Sequence, residues 1–470
     1  LLEAPETSAF HAHAIVGALA DLRNQLKKYN ADILVLRGEV VNCLNELYTA
    51  HKFTRMYSHE EIGIDRTYQR DLRVANWCMA NKVKWTELRQ TGVFRGLSNR
   101  DDRSKRWKKF TLGEVLPIPS ADELNKINIP SAYKKLHLSL KEQKNSWTST
   151  YQLSKDQQSA IQDVSEVAAK ATLQSFLYER GIMYRGGISS PNTAFVAGSR
   201  LSAHLAWGTI TGRMAYQATQ LRKEELKESD HPDAGRWRQS LTSFLSRLHW
   251  RDHFIPRLET EPQMERIPLN PAYADLEYID DPKRLEAWIE GRTGFPLVDA
   301  CIRCMRTTGF INFRMRAMLT SVACHSLQID WKKIDHPMAR MYTDYEPGIH
   351  LSQLQMQASV VGINTIRIYS PNKQIIDQDP EAIFIKQWVP ELRDFTSKQI
   401  TEHRSEPLGD YPGQLVDYWS SSREMKEKLW TIRKLSETKL ISQQVYQKHG
   451  SRKGPSSLKK KKKPSADAKA

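Results

Sequence analysis

From about residue 156 to 445, apolar residues recur at helical spacing and strand-like alternation is nearly absent. A chain patterned this way must bury its apolar stripes helix against helix. The spacing therefore predicts one large all-α domain over 156–445. The first 95 residues read differently. Ile15, Leu19, Leu22 and Leu26 give a helix, and Asp32–Leu36 (DILVL) is a short apolar run of the kind a buried parallel strand shows. Val41, Leu44 and Leu47 suggest another helix, Phe53–Ser58 a strand, Arg66–Asn81 a helix and Lys84–Leu88 a third strand. Residues 1–95 are thus expected to form a partial α/β domain with a parallel sheet. That domain opens on a helix, so the sheet is expected to lack its first strand. Residues 96–155 are polar and basic and include the turn signal Pro117-Ile118-Pro119, which predicts a connection with little regular structure. The lysine-rich end, 446–470, is expected to be a basic disordered tail.

Composition narrows the functional classes. With 470 residues the chain can bury a sizeable core. No window approaches the roughly 18 uninterrupted apolar residues of a membrane span, so no membrane partner is expected. The five cysteines, Cys43, Cys78, Cys301, Cys304 and Cys324, are an odd number without framework spacing. The single C-x-x-C at Cys301 and Cys304 lies in a helical stretch, whereas a zinc or iron–sulfur site wants about four ligands. Two helix cysteines are the simpler reading, and no metal is expected. The formal net charge is +16. The segment Ser451–Ala470 holds eight Lys or Arg against one Asp, a contribution of +7, which leaves +9 on the remainder. That surplus suits an anionic partner, of which nucleic acid is the commonest. The run Lys459–Lys463 reads either as a nuclear-localisation signal or as a solvated tail, so an intracellular protein of nucleus or cytoplasm is expected.

Four stretches carry chemical signals. Gly198-Ser199-Arg200-Leu201-Ser202 opens an apolar-periodic helix. Unpaired N–H groups, hydroxyls and a fixed guanidinium there could hold a phosphate, although a plain N-cap explains the same residues. Arg247-Leu248-His249-Trp250-Arg251-Asp252 alternates aromatic and basic side chains at the end of an apolar helix. Trp288-Ile289-Glu290-Gly291-Arg292-Thr293-Gly294-Phe295-Pro296-Leu297-Val298-Asp299 is a third, and Thr308-Gly309-Phe310-Ile311-Asn312-Phe313-Arg314-Met315-Arg316 a fourth. An arginine deep in an apolar helix needs a charged partner, and Asp344 and Glu346 are available for a structural ion pair.

The order of these stretches is more telling than any one of them. G-S-R-L-S, W-R, W-x-E-G-x-T-G-x-P-x-V-D, T-G-x-x-x-x-R-x-R and Asp344-x-Glu346 are followed by Arg367-Ile368-Tyr369-Ser370-Pro371 and by Phe384-Ile385-Lys386-Gln387-Trp388-Val389-Pro390-Glu391-Leu392. The series resembles the FAD domain of photolyases and cryptochromes, with Tyr184 to Leu392 as the part that would hold FAD. Tyr411-Pro412 with Val416-Asp417 fits the family's closing stretch, and His59-Glu60-Glu61 with Arg70-Asp71 extends the likeness toward the N-terminus. The family's opening strand, with its W-F-x-x-D-L-R motif, is absent.

The resemblance implies a bent FAD whose phosphates meet Tyr184 and Gly198, Ser199, Arg200, Leu201 and Ser202. It implies Arg251 near the cofactor, Arg316 paired with Asp344 beside the flavin ring, and Glu346 next to them. Trp250 matches the aromatic that packs on a flipped pyrimidine dimer. Several positions depart from the pattern. Arg247 stands where dimer photolyases have an acid, His350 where the flavin-facing Asn stands, and Phe313 where a second Asn stands, with Asn312 displaced by one. Of the three-tryptophan reduction chain, Trp331 matches the middle position, but Leu354 takes the flavin-proximal one and Tyr278 the outer one. Trp288, Trp207 and Tyr369 are other redox-active residues nearby in the sequence pattern. The expected function is a blue-light-driven DNA photolyase that splits pyrimidine dimers with reduced FAD, with Trp250, Arg247 and His350 at the lesion. The expected partner is damaged DNA with a flipped dimer, met by a monomer; an antenna chromophore of unknown identity is compatible. The alternatives are a cryptochrome-like blue-light receptor without repair and a DNA-binding protein that has lost its photochemistry.

Overall fold

The computed structural model describes residues 3–97, 100–124, 129, 133 and 151–450. The N-terminal layer runs α1 (Ala9–Lys27), α2 (Val40–Ala50), β1 (Arg55–His59), α3 (Asp65–Ala80) and β2 (Lys84–Leu88). β1 and β2 are parallel, in register from Arg55 opposite Lys84 to His59 opposite Leu88. The Glu39 carboxylate starts α2 by accepting from the N–H groups of Val41 and Asn42. Val74, Trp77, Cys78 and Val83 form a small core under the sheet, with Val41, Leu44 and Phe53 packed on it.

Three expectations need correction. The DILVL segment is not a strand: residues 31–37 run without regular structure, and among the described residues the sheet holds only β1 and β2. An apolar run becomes a strand only when a neighbour supplies the hydrogen-bond ladder. Residues 96–155 are not uniformly irregular, because α4 (Arg103–Thr111) is a helix whose Trp107 is buried. Its basic composition hid a single packed ridge. The C-terminal helix Ser436–His449 also runs into the region expected to be tail, and His449 is buried against Glu261. Residues 451–470, the rest of that tail, lie outside the described residues.

The rest of the described chain is helical and centres on the helix Pro296–Thr308. Ten of its thirteen residues are buried, which leaves it almost no solvent face. Cys301 and Cys304 are two of them; among the described residues no group of three or more His, Cys, Asp or Glu side chains is placed to hold a metal ion. Proline begins the helix and Gly309, at φ +68°, ends it. A Cβ on Gly309 would stand 2.0 Å from the Thr343 hydroxyl, so no larger residue fits. Among the described residues, no helix is long and apolar enough to cross a membrane.

The E-G-x-T-G-x-P-x-V-D stretch is explained by packing. Gly291 caps the preceding helix at φ +67°, and Gly294, at φ +78°, lies so close to Gly413 that a Cβ would meet its carbonyl oxygen at 2.3 Å. The Asp299 carboxylate accepts from Thr293 N–H at 2.9 Å, the Thr293 hydroxyl at 2.7 Å and Gly294 N–H at 3.0 Å. It also accepts from the Tyr411 hydroxyl. Burial pushes the Asp299 carboxyl up to about 6 against the pull of these donors. Replacing Asp299 with alanine strands several buried donors at once. The expected loss is about 3–5 kcal/mol of unfolding free energy, read as a fall in urea midpoint. An unchanged midpoint would contradict this account of the motif.

Candidate cofactor site

The site is built around a loop pinned by one guanidinium. Arg180 donates to the carbonyls of Thr172 at 3.2 Å, Val196 at 3.0 Å and Ser199 at 2.8 Å, and also to that of Gly198. With its carbonyls turned toward Arg180, the segment from Gly198 to Ser202 presents other groups to the interior. Gly198 caps the helix Pro191–Ala197, and a Cβ there would meet the Ala194 carbonyl at 2.6 Å. Leu201 is fully buried. Arg200 adopts φ +60°, a left-handed conformation that costs an ordinary residue about 1–2 kcal/mol. That conformation sets its guanidinium 3.7 Å above the Phe310 ring and 5.1 Å from Phe195.

Beneath it lies the ion pair anticipated from the sequence. Arg316 donates to both Asp344 oxygens, at 3.0 and 3.1 Å, and its Nε donates to the Ile311 carbonyl at 2.8 Å. Its guanidinium sits 4.1 Å over the Tyr342 ring. Burial alone would raise the Asp344 carboxyl, but Arg316, the Ser202 hydroxyl and Arg200 together hold it below its ordinary range. Arg200 is drawn down to about 10, first by burial and then by Arg316 and Arg180 nearby, with Asp344 opposing. Arg316 and Arg200 therefore share the Asp344 carboxylate, with Arg180 close by, and the Arg200 Nη1 is buried without a hydrogen-bond partner. Such a cation surplus in a dry setting favours an anionic guest. The residues present fit the diphosphate of FAD, with Arg200 and Ser202 as the groups that would hold it.

Arg251 and Glu346 form the second half. Arg251 donates to the Leu205 carbonyl and to Asp252, both at 3.0 Å, and lies 3.6 Å from Glu346. Burial raises the Glu346 carboxyl, and Arg251 partly offsets it. Both line a cavity of about 430 Å³ together with Trp207, Tyr345 and, from the N-terminal layer, His11, Glu61 and Gly92. The Trp207 indole N–H donates to the Thr343 carbonyl at 2.7 Å, which ties this wall to the loop of Asp344.

The remaining candidates scatter. His350 is buried, donates from Nε2 to Asp335 at 2.8 Å and meets the Tyr345 ring edge-on at 5.4 Å. Tyr184 is packed between Phe176 and Phe244, in the same core as Leu201 of the Gly198–Ser202 loop, with its hydroxyl pushed up to about 12 by burial and only partly drawn back by Arg247. Trp250 is 36% exposed and stacks on Phe254 at 5.7 Å. Arg247 is exposed one turn earlier on the same helix, Ala234–Phe254. Trp331 is buried, and Tyr278 has a buried hydroxyl without a partner. Among the described residues neither makes an aromatic ring contact with the other. Phe313 is 57% exposed, and Leu354 is buried in the core.

Sequence reading missed Arg180, Asp252 and His11. Arg180 gives no signal beyond a charge in an apolar segment. Asp252 accepts from Trp107 Nε1 at 2.8 Å and from Gly92 N–H at 3.2 Å, partners far away in sequence. His11 was one histidine on a helix face.

Two family models match the chain: "DNA photolyase" over residues 2–111 and "FAD binding domain of DNA photolyase" over residues 244–431. A deoxyribodipyrimidine photo-lyase of Halobacterium salinarum is 28% identical over 277 residues, which is 57% of this chain and 56% of the relative. The enzyme of that name from Escherichia coli is 30% identical over 264 residues, 54% of this chain and 53% of the relative. The chain spans just over half the length of these curated relatives. Among solved structures, a Synechocystis cryptochrome superposes with TM-score 0.75 at 19% identity, covering 90% of this chain and 88% of that one. A class III photolyase from Agrobacterium tumefaciens gives 0.72 at 19% identity, over 91% and 89%. An archaeal photolyase from Sulfolobus tokodaii, described with two FAD molecules, gives 0.68 at 21% identity, over 91% and 90%. The chain belongs to the photolyase/cryptochrome family, and its residues 244–431 match the FAD-binding domain of photolyases.

Proposed function

We propose that this protein is a blue-light-driven DNA photolyase that repairs pyrimidine dimers. The observation that carries the reading is the placement of Trp250 and Arg251. Adjacent on one helix, roughly 100° apart around its axis, they differ in surroundings: Trp250 offers a partly exposed ring already stacked on Phe254, and Arg251 turns inward to Glu346. A solvent-facing platform for a base and the wall of the cofactor site are thus one residue apart. FAD, when bound and reduced, supplies the electron that opens the dimer after blue-light excitation and receives it back.

The protein's share is binding and electrostatics. The arginine surplus around Asp344 supports a negatively charged group in the dry interior. Trp250 stacks on the extruded dimer and offsets part of the stacking lost from the duplex. Arg247, exposed one turn before Trp250, meets a DNA phosphate or a lesion carbonyl in place of an acid. His350, anchored by Asp335, stands behind Tyr345 of the cavity wall. The net charge of +16 draws DNA to the protein. The names of the curated relatives agree with this reading.

A cryptochrome-like receptor is the second reading. The observation in its favour is Leu354, 2% exposed at the flavin-proximal relay position, together with Trp331, which has no ring contact with Tyr278 among the described residues. The two readings part in one assay. Purified, FAD-loaded and chemically reduced protein is given a thymine-dimer oligonucleotide under blue light, and the product is followed by chromatography. Repair is expected; none from a flavin-loaded sample would favour the receptor.

Two variants sharpen the assignment. Trp250→Ala should weaken lesion binding about ten- to hundredfold, because a stacked base is worth ~1–3 kcal/mol. Unchanged repair would remove Trp250 from the lesion site. Arg316→Met leaves Asp344 buried beside Arg200 and Ser202 only. It should cost about 3–5 kcal/mol of stability and lower the flavin absorbance of the purified protein. Full flavin content in that variant would place the cofactor elsewhere.

A further inference from the structure

Cationic side chains gather where α4 meets the helix that carries Trp250. That helix, Ala234–Phe254, continues through Ile255, at φ −52° and ψ −47°, into Pro256–Thr260. His249, His253 and Arg257 stand four residues apart and so share one face of it. Arg100 and Arg103 reach the same place from the start of α4. Arg103 Nη2 donates to His249 Nε2 at 2.9 Å, and Arg100 Nη1 donates to the carbonyls of His253 at 3.3 Å and His449 at 3.4 Å. The charges of Arg103, Arg100 and Arg257 all act on His253, which is thereby kept neutral. Arg103, His253 and Arg257 are only 6%, 4% and 5% exposed.

These groups are short of acceptors. Among the described residues, Arg103 Nη1, His253 Nε2 and Arg257 Nε are each buried without a hydrogen-bond partner. The carboxylates on neighbouring turns are held by other partners. Asp252 takes Arg251, the Trp107 indole and the Gly92 N–H, and Glu261 takes Lys448 and His449. Glu259 accepts from the Gly96 N–H at 2.9 Å and faces Arg95. Burial draws Arg257 down to about 10 with no carboxylate opposing it, and lowers Arg103 with only Asp252 opposing. Guanidinium groups removed from water without a matching anion are costly, and the fork of N–H groups that each presents matches the oxygens of a tetrahedral oxyanion.

We propose that Arg103, His253 and Arg257 bind a small tetrahedral oxyanion of the inorganic phosphate class, at the junction of α4 with the Trp250 helix. The enclosure of the three side chains admits a free ion and keeps out the phosphodiester backbone of a nucleic acid. The site is separate from the arginines around Asp344, and none of its three groups lines the cavity of about 430 Å³. The ion supplies the acceptor that each orphaned N–H lacks. Its effect reaches the exposed ring of Trp250, because His253 meets Trp250 edge-on at 5.2 Å and Phe254 at 5.4 Å, while the Arg257 guanidinium lies 5.0 Å from the centre of the Phe254 ring. An occupied site thus fixes the two rings against which Trp250 rests.

The test is calorimetric titration of inorganic phosphate into the full chain, with FAD added to saturation and chloride holding the ionic strength constant, alongside thermal melts. Binding of a single ion is expected, with a melting temperature that rises with the logarithm of phosphate concentration. Arg103→Met and Arg257→Met should each weaken phosphate binding by about tenfold or more, the worth of one charge-assisted hydrogen bond. In phosphate-free buffer the same variants should melt no lower than the unmodified protein, since each removes an uncompensated buried charge. Arginines with a purely structural role would do the reverse, lowering the melting temperature and leaving the phosphate response intact, and that result overturns the site. Phosphate displaced one for one by an undamaged oligonucleotide also overturns it. A readout that needs no variant is selenate soaked into crystals of the FAD-loaded protein: an anomalous peak among Arg103, His253 and Arg257 is expected. Peaks found only elsewhere, an adventitious ion only, would sink the proposal.

Discussion

The fork between Arg316 and Asp344 is the interaction on which the helical part of the molecule depends. It joins three segments distant in sequence: the loop Gly198–Ser202, through Ser202 and Arg200; the turn after Gly309, through the Arg316 bond to Ile311; and the stretch from Tyr342 to Glu346. Two opposite charges removed from water are tolerated only when geometry is good and the remaining donors and acceptors are filled. Here the fork is two-pronged, and the Arg316 Nε is also satisfied. What remains unsatisfied is Arg200 Nη1 nearby.

The comparison of sequence with structure is instructive where they differ. The helix Pro296–Thr308 was legible because proline and glycine bracket it and its apolar residues cover every face. Lys84–Leu88 was legible because Trp85 and Thr86 suit a strand and the segment follows a helix after a short turn. DILVL was not, because strand identity belongs to a pair of segments and not to one. Residues Arg103–Thr111 look like solvated loop in composition, and only the burial of Trp107 against His249 and Tyr216 makes a helix of them.

The site divides along the same line. That an arginine in an apolar helix needs a carboxylate such as Asp344 or Glu346 could be read from the chain; the pairing of Arg316 with Asp344 was what the family resemblance implied. The packing of Tyr184 could not be read from sequence: it sits among phenylalanines, in the core that also takes Leu201. Arg180 and His11 act through partners far along the chain, and no local pattern announces such partners. The most specific motif, E-G-x-T-G-x-P-x-V-D, proves to be largely a matter of packing: glycines where a Cβ has no room and an aspartate that collects buried donors. High specificity of a motif therefore says that a backbone arrangement is demanding; it does not say that its residues do chemistry.

Asp252 has a consequence for how the molecule moves. This one carboxylate receives the indole N–H of Trp107 and the backbone N–H of Gly92 while it is paired with Arg251. The N-terminal layer has only a small core of its own and a two-stranded sheet, so its order is borrowed through this contact and through the seating of α1. The amides of β1 and β2 should then exchange with solvent through an opening in which the layer lifts away while the helices around Pro296–Thr308 stay folded. Such an opening would uncover Arg251 and the cavity wall together, so access to the interior and the looseness of the sheet are two aspects of one equilibrium.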